Sequence, residues 1–425
     1  MGSSPFVGSK NGRINGFLYM GKKIGYKIYT LGCKVNQYDS GYLSSLLDAA
    51  FCKVNKNADL AIVNTCTVTK KSIAKNRSML NKARNENPNA KMIIFGCWPK
   101  SYKNDLEKVE ADLVWPVGKL EDLARKIYKL FNVEIFNKIN VNIISSERSR
   151  YFLKIQDGCE QFCTYCIIPY NRGKISSRKE SDILFEAKKA IERGFKEIVL
   201  CGIHLGQYGK EKREKDALYR LMKKLIMIDP QVRFRLSSIE IGEITDNLIK
   251  LFKIKRSICP HLHIPLQSGS DKILKLMNRP YDRESFLNKI LKIKKAIPNI
   301  ALTADVLVGF PGEISKDFND TKDLIKKAGF SRLHIFPFSA HEKTPAYYFT
   351  GQVVSEDKKN RARVLRELNK VLEKKYQNKF KNKYINVLIE KKEGDYYIGK
   401  NEYYFEVRHR STKEYEIGDI VKIKY

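Results

Sequence analysis

The sequence predicts an α/β protein in three parts behind a tail at residues 1–23. The parts are an N-terminal open parallel α/β sheet (24–140), a central partial barrel of six strand–helix units (146–375) and a small all-β barrel (376–425). Three observations predict this. Short apolar runs alternate with helical patterns through the first part. Six strand-like runs, each followed by a helical pattern, fill the second. The third holds only short strands broken by Gly and charged turns. Alternating strands and helices bury a parallel sheet between helical layers, whereas short consecutive strands close on one another.

In chain order, MGSSPFVGSKNGRING is Gly/Ser-rich and without periodicity. It reads as a flexible tail, as vector-derived residues, or as a start placed too early, with Met20 the true one. Strands are expected at 27–31, 58–64, 91–95 and 112–117, with helices at 41–50 and 72–86 between them. Cys33, Cys66 and Cys97 each fall within a residue or two of a strand's carboxyl end. In an open α/β sheet those ends share one edge, where ligands bind. The three can therefore meet although they lie 33 and 31 residues apart. The competing reading is three ordinary buried cysteines, which does not explain their common position. Cys52 has no such position and is expected in the core.

The central strands are expected at 151–156, 197–203, 233–239, 261–266, 302–308 and 333–338, with helices such as 179–193 and 271–277 between them. Six units make a barrel that is open rather than closed, with its chemistry at the carboxyl ends of the strands. Directly after the first strand comes Cys159-Glu160-Gln161-Phe162-Cys163-Thr164-Tyr165-Cys166, a C-x3-C-x2-C loop. Three thiols at short unequal spacings can wrap one metal centre, and no fourth cysteine is near. A structural zinc takes four ligands and a cubane cluster has four irons to anchor, so one corner is left open. A zinc loop completed by a distant His, or a disulfide loop, is the alternative. Other strand ends carry Cys201-Gly202-Ile203-His204-Leu205-Gly206, then Arg235, Ser237, Ser238 and Glu240, then Gln267-Ser268-Gly269-Ser270, and then Gly309-Phe310-Pro311-Gly312-Glu313. These suit close backbone approach and contact with a carboxylate, an amine and hydroxyls; turn formation and capping compete with that reading. Cys201 and Cys259 read as structural, and His204, His261, His263 and His334 as packing or hydrogen-bonding residues.

A charged helical pattern at 364–376 bridges to the last part, where INVLIE, DYYIGK, YYFEVRH and DIVKIKY read as strands. Residues 376–425 carry eleven Lys and Arg against eight Asp and Glu, and hold eight of the 23 tyrosines. Aromatics interleaved with basic residues suit base stacking and phosphate contact; packing of the tyrosines is the bland alternative. The whole chain of 425 residues has a formal net charge of +33, which favours nucleic acid, RNA above all, as partner. Heavy use of Lys, Asn, Ile and Tyr accounts for part of that excess without removing its electrostatic effect. No apolar run reaches the ~18 residues of a membrane span, and nothing near the start has a signal peptide's apolar core. The expectation is a soluble, cytoplasmic protein without a membrane partner. Nine cysteines in clustered spacings read as metal ligands in a reducing compartment.

Two sets of residues carry a family resemblance. C-x3-C-x2-C with the aromatic Tyr165 before its last cysteine resembles the radical S-adenosylmethionine enzymes. LGCKVNQYDS, NTCTVT and FGCWPK resemble the N-terminal domain of the methylthiotransferases within that superfamily. The resemblance runs from about Tyr26 to the C-terminus and includes both cysteine triplets. It implies two 4Fe-4S clusters, an auxiliary one on Cys33, Cys66 and Cys97 and the radical one on Cys159, Cys163 and Cys166. It also implies S-adenosylmethionine as radical source and methyl donor, in a pocket lined by Tyr165, Gly202, Arg235, Ser237, Glu240 and Gln267. A C-terminal TRAM barrel would bind RNA, with Tyr403, Tyr404, Arg408 and Arg410 as contacts. Where the resemblance leads one to expect proline after Glu240, Ile241 stands.

The implied reaction starts with one electron passing into bound S-adenosylmethionine. A 5′-deoxyadenosyl radical then abstracts hydrogen, and a methylated sulfur carried at the auxiliary cluster is inserted. No acid–base residue is assigned, since the cofactors do the hard chemistry. LGCKVNQYDS with NTCTVT most resembles the branch acting on N6-threonylcarbamoyladenosine beside the tRNA anticodon. The isopentenyladenosine branch comes next and the ribosomal-protein aspartate branch last. The implied partners are the tRNA anticodon stem-loop and a flavodoxin- or ferredoxin-type electron donor. A non-catalytic iron–sulfur RNA-binding redox sensor is the reading from another class; two incomplete ligand sets argue against it.

Overall fold

The computed structural model describes residues 23–102, 109–134, 149–254 and 257–425; the expected tail at 1–23 lies outside them except for Lys23. The chain forms two compact units that divide after Ser145, with Val68–Lys70 grouping with the second.

In the first unit, β1 (Ile24–Thr30), β2 (Phe51–Lys53), β3 (Leu60–Thr65), β4 (Lys91–Gly96) and β5 (Leu113–Pro116) form one sheet in the order β2-β1-β3-β4-β5. Every pairing is parallel. All six residues of β3 are buried, as expected of a central strand covered on both faces. Its alternate residues serve two cores. Leu60 and Ile62 meet Leu43, Leu46 and Leu47 of α1 (Lys34–Leu47) and Leu123 and Ile127 of α4 (Leu120–Leu130). Ala61 and Val63 meet Leu80 and Ala83 of α2 (Lys70–Glu86), together with Trp98 of the short α3 (Cys97–Ser101). Two local expectations are corrected. The first helix starts at Lys34, directly after Cys33, because KVNQYDS helps cover the sheet despite its polar composition. Cys52 lies half-buried in the edge strand β2 rather than at a helix end in the core.

In the second unit, β6 (Tyr151–Lys154), β9 (Glu197–Cys201), β10 (Arg233–Leu236), β11 (His261–His263), β12 (Ala301–Val308) and β13 (Arg332–Pro337) follow one another in space as in sequence. Two three-stranded parallel sheets are joined by bridges at Phe234–Ile258 and Ser238–His263. The outer helices include α6 (Glu180–Glu192), α7 (Ala217–Leu225), α8 (Asp246–Ile254), α10 (Arg283–Ala296) and α11 (Ser315–Ala328). The antiparallel pair β7 (Gln156–Asp157) and β8 (Ser176–Ser177) brackets the cysteine loop and α5 (Ile168–Arg172), while α9 (Asp271–Leu276) follows β11. The bridging helix α12 (Ser355–Gln377) begins nine residues earlier than its charge pattern indicates. It packs along β13, where Oδ1 of Asn369 accepts from the Leu333 amide at 2.7 Å.

The C-terminal strands β14 (Tyr384–Glu393), β15 (Tyr396–Asn401), β16 (Glu406–Arg410) and β17 (Ile420–Lys424) form an antiparallel sheet in the order β16-β15-β14-β17. This sheet is seated against the amino-terminal ends of the barrel strands, opposite the cysteine loop. Arg233 donates to the carbonyls of Asn386 (2.9 Å) and Lys400 (3.1 Å), and Arg235 to those of Glu402 (3.0 Å) and Asn401 (3.2 Å). Both guanidinium groups converge on buried Glu197, Arg150 pairs with Glu390, and Lys196 pairs with Asp419 at 2.6 Å. Ala301, the first residue of β12, joins the C-terminal core of Ile385, Val387, Phe405 and Val407.

Candidate functional site

The first cysteine set stands on the carboxyl edge of the N-terminal sheet. Register places Thr65 opposite Gly96 and Thr30 opposite Asn64. Cys66 and Cys97 therefore leave the sheet level with each other and Cys33 one residue further on. The three share about 10 Å of sheet edge, two strand spacings. Gly32 permits this approach: at its φ of +108° a side chain is disfavoured, and a Cβ there would stand 2.9 Å from the Cys66 Cβ. Nδ2 of Asn36 donates to the carbonyls of Leu31 (2.8 Å) and Thr65 (3.0 Å), tying the two loops together. Asn76 accepts from the Cys66 amide at 3.2 Å and donates to its carbonyl at 2.8 Å. Cys33 is exposed while Cys66 and Cys97 are buried, so the site opens on the Cys33 side.

The second set follows β7. Gly158, at φ +76°, lies so close to Lys174 that a Cβ would meet its carbonyl oxygen at 1.9 Å. The loop is then held from outside. The Thr164 amide and hydroxyl donate to the carbonyls of Met277 (3.2 Å) and Leu276 (2.8 Å), and the Ala346 amide donates to the Thr164 carbonyl (2.9 Å). Two nitrogen groups approach the sulfurs: Nη1 of Arg279 lies 3.3 Å from Cys163 Sγ, and Nδ1 of His204 lies 3.2 Å from Cys159 Sγ. On the far side of its ring, His204 Nε2 lies 2.7 Å from Glu243 Oε1. Burial opposes charge on this imidazole, but Cys159 and Glu243 together push its pKa up to about 10. Burial also pushes the Cys166 thiol up to about 12, so a thiolate forms here only with a cation to receive it.

Neither triplet suits a single ion. Among the described residues, the one set of three His, Cys, Asp or Glu donor atoms lying within 4.8 Å of one another is His263, Asp305 and His334. A tetrahedral zinc with bonds of ~2.3 Å draws its sulfurs to less than ~4 Å apart. Wider sulfur triplets with one missing corner fit four-iron clusters that keep one iron open.

The residues expected around the cofactor separate into two groups. Tyr165 packs edge-to-face on Phe310. Glu240 is half-buried and ion-paired to Arg279, its own carboxyl raised by burial against the pull of that arginine. Ser237 holds a buried hydroxyl with no protein partner, and Gln267, beyond β11, bridges to Val306 of β12 at φ +62°. These four stand at the carboxyl end of the barrel with the cysteine loop. Gly202 is required by the protein's own packing: a Cβ would stand 2.8 Å from Oε1 of Gln156, which accepts the His204 amide while its Nε2 donates to the Gly158 carbonyl. Arg235 is corrected outright. It points to the opposite end of the barrel, buried against Glu197 and the C-terminal sheet, because three arginines are needed there around one buried carboxylate.

Two of the four expected RNA contacts are half-buried and pack on protein. Tyr403 packs on Phe380 with ring centroids 4.4 Å apart. Tyr404 lies on His261 at 4.6 Å with the Arg235 guanidinium 4.8 Å from its ring. Both tyrosines join the C-terminal sheet to what lies beneath it. Arg408, over the Tyr396 ring, and Arg410, paired with Asp395, are at the surface. Sequence reasoning missed Arg279, whose signal was only its place in MNRPY after α9, and set His204 aside as a lone histidine.

The strand order, the open barrel and the loop at its carboxyl end define a radical S-adenosylmethionine protein, and the model of that superfamily matches residues 153–325. The model described as uncharacterized protein family UPF0004 matches residues 25–117. The threonylcarbamoyladenosine tRNA methylthiotransferase MtaB of Bacillus subtilis is 34% identical, covering 93% of this chain and 92% of its own. That of Chlamydia pneumoniae is 35% identical over 94% of each. The tRNA-2-methylthio-N(6)-dimethylallyladenosine synthase of Carboxydothermus hydrogenoformans is 33% identical, covering 86% of this chain and 88% of its own. The chain belongs to the methylthiotransferase family of radical S-adenosylmethionine enzymes. A solved structure, the radical S-adenosylmethionine methyltransferase TsrM of Kitasatospora setae, shares the fold at a TM-score of 0.58 and 12% identity over 77% of each chain. The cofactors are S-adenosylmethionine and 4Fe-4S clusters.

Proposed function

We propose that this enzyme methylthiolates C2 of N6-threonylcarbamoyladenosine next to the anticodon of tRNA. The observation that carries the reading is the presence, in one chain, of two open three-cysteine sets, each at the carboxyl end of parallel strands. Relatives named for this reaction match nearly end to end. Cys159, Cys163 and Cys166 would hold the cluster that, when loaded, supplies the electron for cleaving S-adenosylmethionine. Cys33, Cys66 and Cys97 would hold the auxiliary cluster.

The chain's own residues have definable work. His204 and Arg279 orient two of the thiolates and oppose their charge. Glu240 fixes Arg279. Tyr165 and Phe310 close the wall beside the loop and exclude water. Ser237 offers an unpaired hydroxyl, and Gln267 a polar side chain at the same end. Arg408 and Arg410 present charge to RNA from the C-terminal TRAM barrel, with Tyr384 and its neighbour Lys422 as a further aromatic–basic pair. The substrate element is the anticodon stem-loop, the electron donor a flavodoxin- or ferredoxin-type protein, and the compartment the cytoplasm. Among the described residues no helix is long and apolar enough to cross a membrane.

A second reading has its own support in the relatives named for dimethylallyladenosine at 33% identity. Nucleoside mass spectrometry of tRNA from cells with and without the gene separates the two. Loss of 2-methylthio-N6-threonylcarbamoyladenosine, with its unmethylthiolated precursor accumulating, is the expected result. Loss of the isopentenyl counterpart alone would move the enzyme to the other branch.

A further inference from the structure

Midway along the barrel, three ionisable side chains from three adjacent strands stand together. Nε2 of His263 lies 3.1 Å from Oδ2 of Asp305, and Nδ1 of His334 lies 3.5 Å from Oδ1 of the same carboxylate. Register sets Asp305 level with His334 in β12–β13, and His263 level with Thr303, two residues before Asp305 on the same face of β12. Oγ1 of Thr303 is 2.9 Å from Nδ1 of His263 and fixes that ring. The alternate residues Leu262, Ala304, Val306 and Leu333 are buried in the apolar layer, so by the two-residue period the trio lines the lumen. Side-chain exposure rises from 15% at His263 through 28% at Asp305 to 40% at His334. The site is therefore accessible and opens toward β13, the last strand of the open barrel. Leu307, two residues beyond Asp305 on the same face, packs in one apolar cluster with Tyr165 of the cysteine loop. At ~3.3 Å per residue the trio lies roughly 7 Å beneath that layer.

A shared carboxylate flanked by two imidazoles suits a ligand with both a hydrogen-bond donor and an acceptor. The carboxylate takes the donor, and a protonated ring nitrogen gives to the acceptor. We propose that His263, Asp305 and His334 are the subsite that receives the polar N6 substituent of the adenosine; this rests on the reading given above. A threonylcarbamoyl group carries N–H and hydroxyl donors and a carboxylate. Asp305 would accept from the donors and His334 would give to the carboxylate, with His263 held in register by Thr303. An isopentenyl group offers neither donor nor acceptor and would desolvate the Asp305 carboxylate without replacing its lost hydrogen bonds to water. Sites that hydrogen-bond their substrate reject the analogue lacking the polar group far more strongly than apolar pockets reject an extra one.

The test uses the reconstituted full-length enzyme with three anticodon stem-loop RNAs, identical except for an N6-threonylcarbamoyl, an N6-isopentenyl or no substituent. Methylthiolated product, KM and kcat, and 5′-deoxyadenosine formed without RNA are measured for the wild type, Asp305→Asn and His334→Gln. His334→Leu is added because a residue this exposed is replaced without loss of folding. The expected result is a rise in KM for the threonylcarbamoyl RNA of roughly tenfold or more in each variant, the scale of one charged hydrogen bond. RNA-independent 5′-deoxyadenosine formation should be unchanged, and relative use of the isopentenyl RNA should rise in His334→Leu. If the wild type ignores the threonylcarbamoyl RNA or prefers the isopentenyl one, the functional reading fails. If the wild type prefers the threonylcarbamoyl RNA and all three variants keep that preference and KM, this subsite is overturned while the functional reading stands. One Mn²⁺ per chain, detected by electron paramagnetic resonance in protein lacking the six cluster cysteines and lost in His263→Ala, would also overturn it by making the trio a metal site.

Discussion

Burying a carboxylate is costly unless strong partners surround it, and Glu197 has three. Oε2 lies 2.5 Å from Arg233 Nε, Oε1 lies 2.9 Å from Arg235 Nε, and Arg150 Nε stands 3.7 Å away. Burial alone would raise this carboxyl; Arg235 and Arg233 reverse that and hold it well below the ordinary carboxylate range. A folded-state pKa below the unfolded one contributes stability above about pH 4, the unfolded value, and that contribution is lost as pH falls through the folded value. Glu197→Gln should therefore cost about 3–5 kcal/mol at neutral pH, the usual penalty for breaking a buried ion network. In urea titrations the gap between the midpoints of variant and wild type should narrow progressively as the pH falls below about 4. A midpoint difference independent of pH would refute the assignment. At the other end of the barrel, Arg279 neutralises Glu240 and approaches Cys163 at once. Arg279→Gln should lower 5′-deoxyadenosine formation at least about tenfold, the effect of losing one charged hydrogen bond, and Arg279→Lys should lose less.

At the scale of elements, the cysteine loop works because a backbone approach leaves no room for a side chain. Gly158→Ala would place a Cβ 1.9 Å from the Lys174 carbonyl oxygen at φ +76°, so the loop must move rather than a side chain turn. Reconstituted Gly158→Ala protein should bind about four fewer irons than wild type, one cubane's worth, with the far-UV circular dichroism unchanged. The C-terminal sheet makes the complementary case. Tyr404 touches His261 and Arg235 together, at the contact that joins this sheet to the barrel. Tyr404→Ala should cost stability, though less than the about 3–5 kcal/mol of a fully buried aromatic truncation, because Tyr404 is half-buried. Limited proteolysis should then cut near residue 380, in the 3-10 turn Asn378–Phe380 that links α12 to β14, faster than in the wild type.

For the whole molecule, a net charge of +33 makes association with RNA a long-range electrostatic event that salt weakens. Arg408→Ala with Arg410→Ala should flatten the dependence of log K for tRNA on log salt by roughly one to two units, if each arginine meets one phosphate. Unmodified tRNA suits this measurement, since phosphate contact is independent of the base. An unchanged slope would place the RNA face elsewhere. Removing residues 384–425 should do more than lower RNA affinity. It strips the backbone acceptors from Arg233 and Arg235, so the remaining barrel should be recovered mainly as aggregate.

The sequence by itself determined most strands in their chain order, because period and turn chemistry are local, but not the short edge strand β2. It also placed one cysteine set on a shared sheet edge and the other directly after the first barrel strands, because position at a strand's carboxyl end is recognisable locally. Cys33, Cys66 and Cys97 were legible for that reason, although 64 residues separate the first from the last. What only the tertiary structure decided is which way each polar side chain points once its strand is placed. Arg235 and Ser237 are two residues apart, yet Arg235 seals the amino end of the barrel while Ser237 stands with the chemistry at the carboxyl end. Tyr403 and Tyr404 read as an exposed aromatic pair and are packed instead, because the C-terminal sheet covers the barrel with that edge. His263, Asp305 and His334 are unremarkable in three separate segments and become one site only through strand register. Pairing across strands is a long-range property, fixed by the burial of whole faces, and no local pattern carries it.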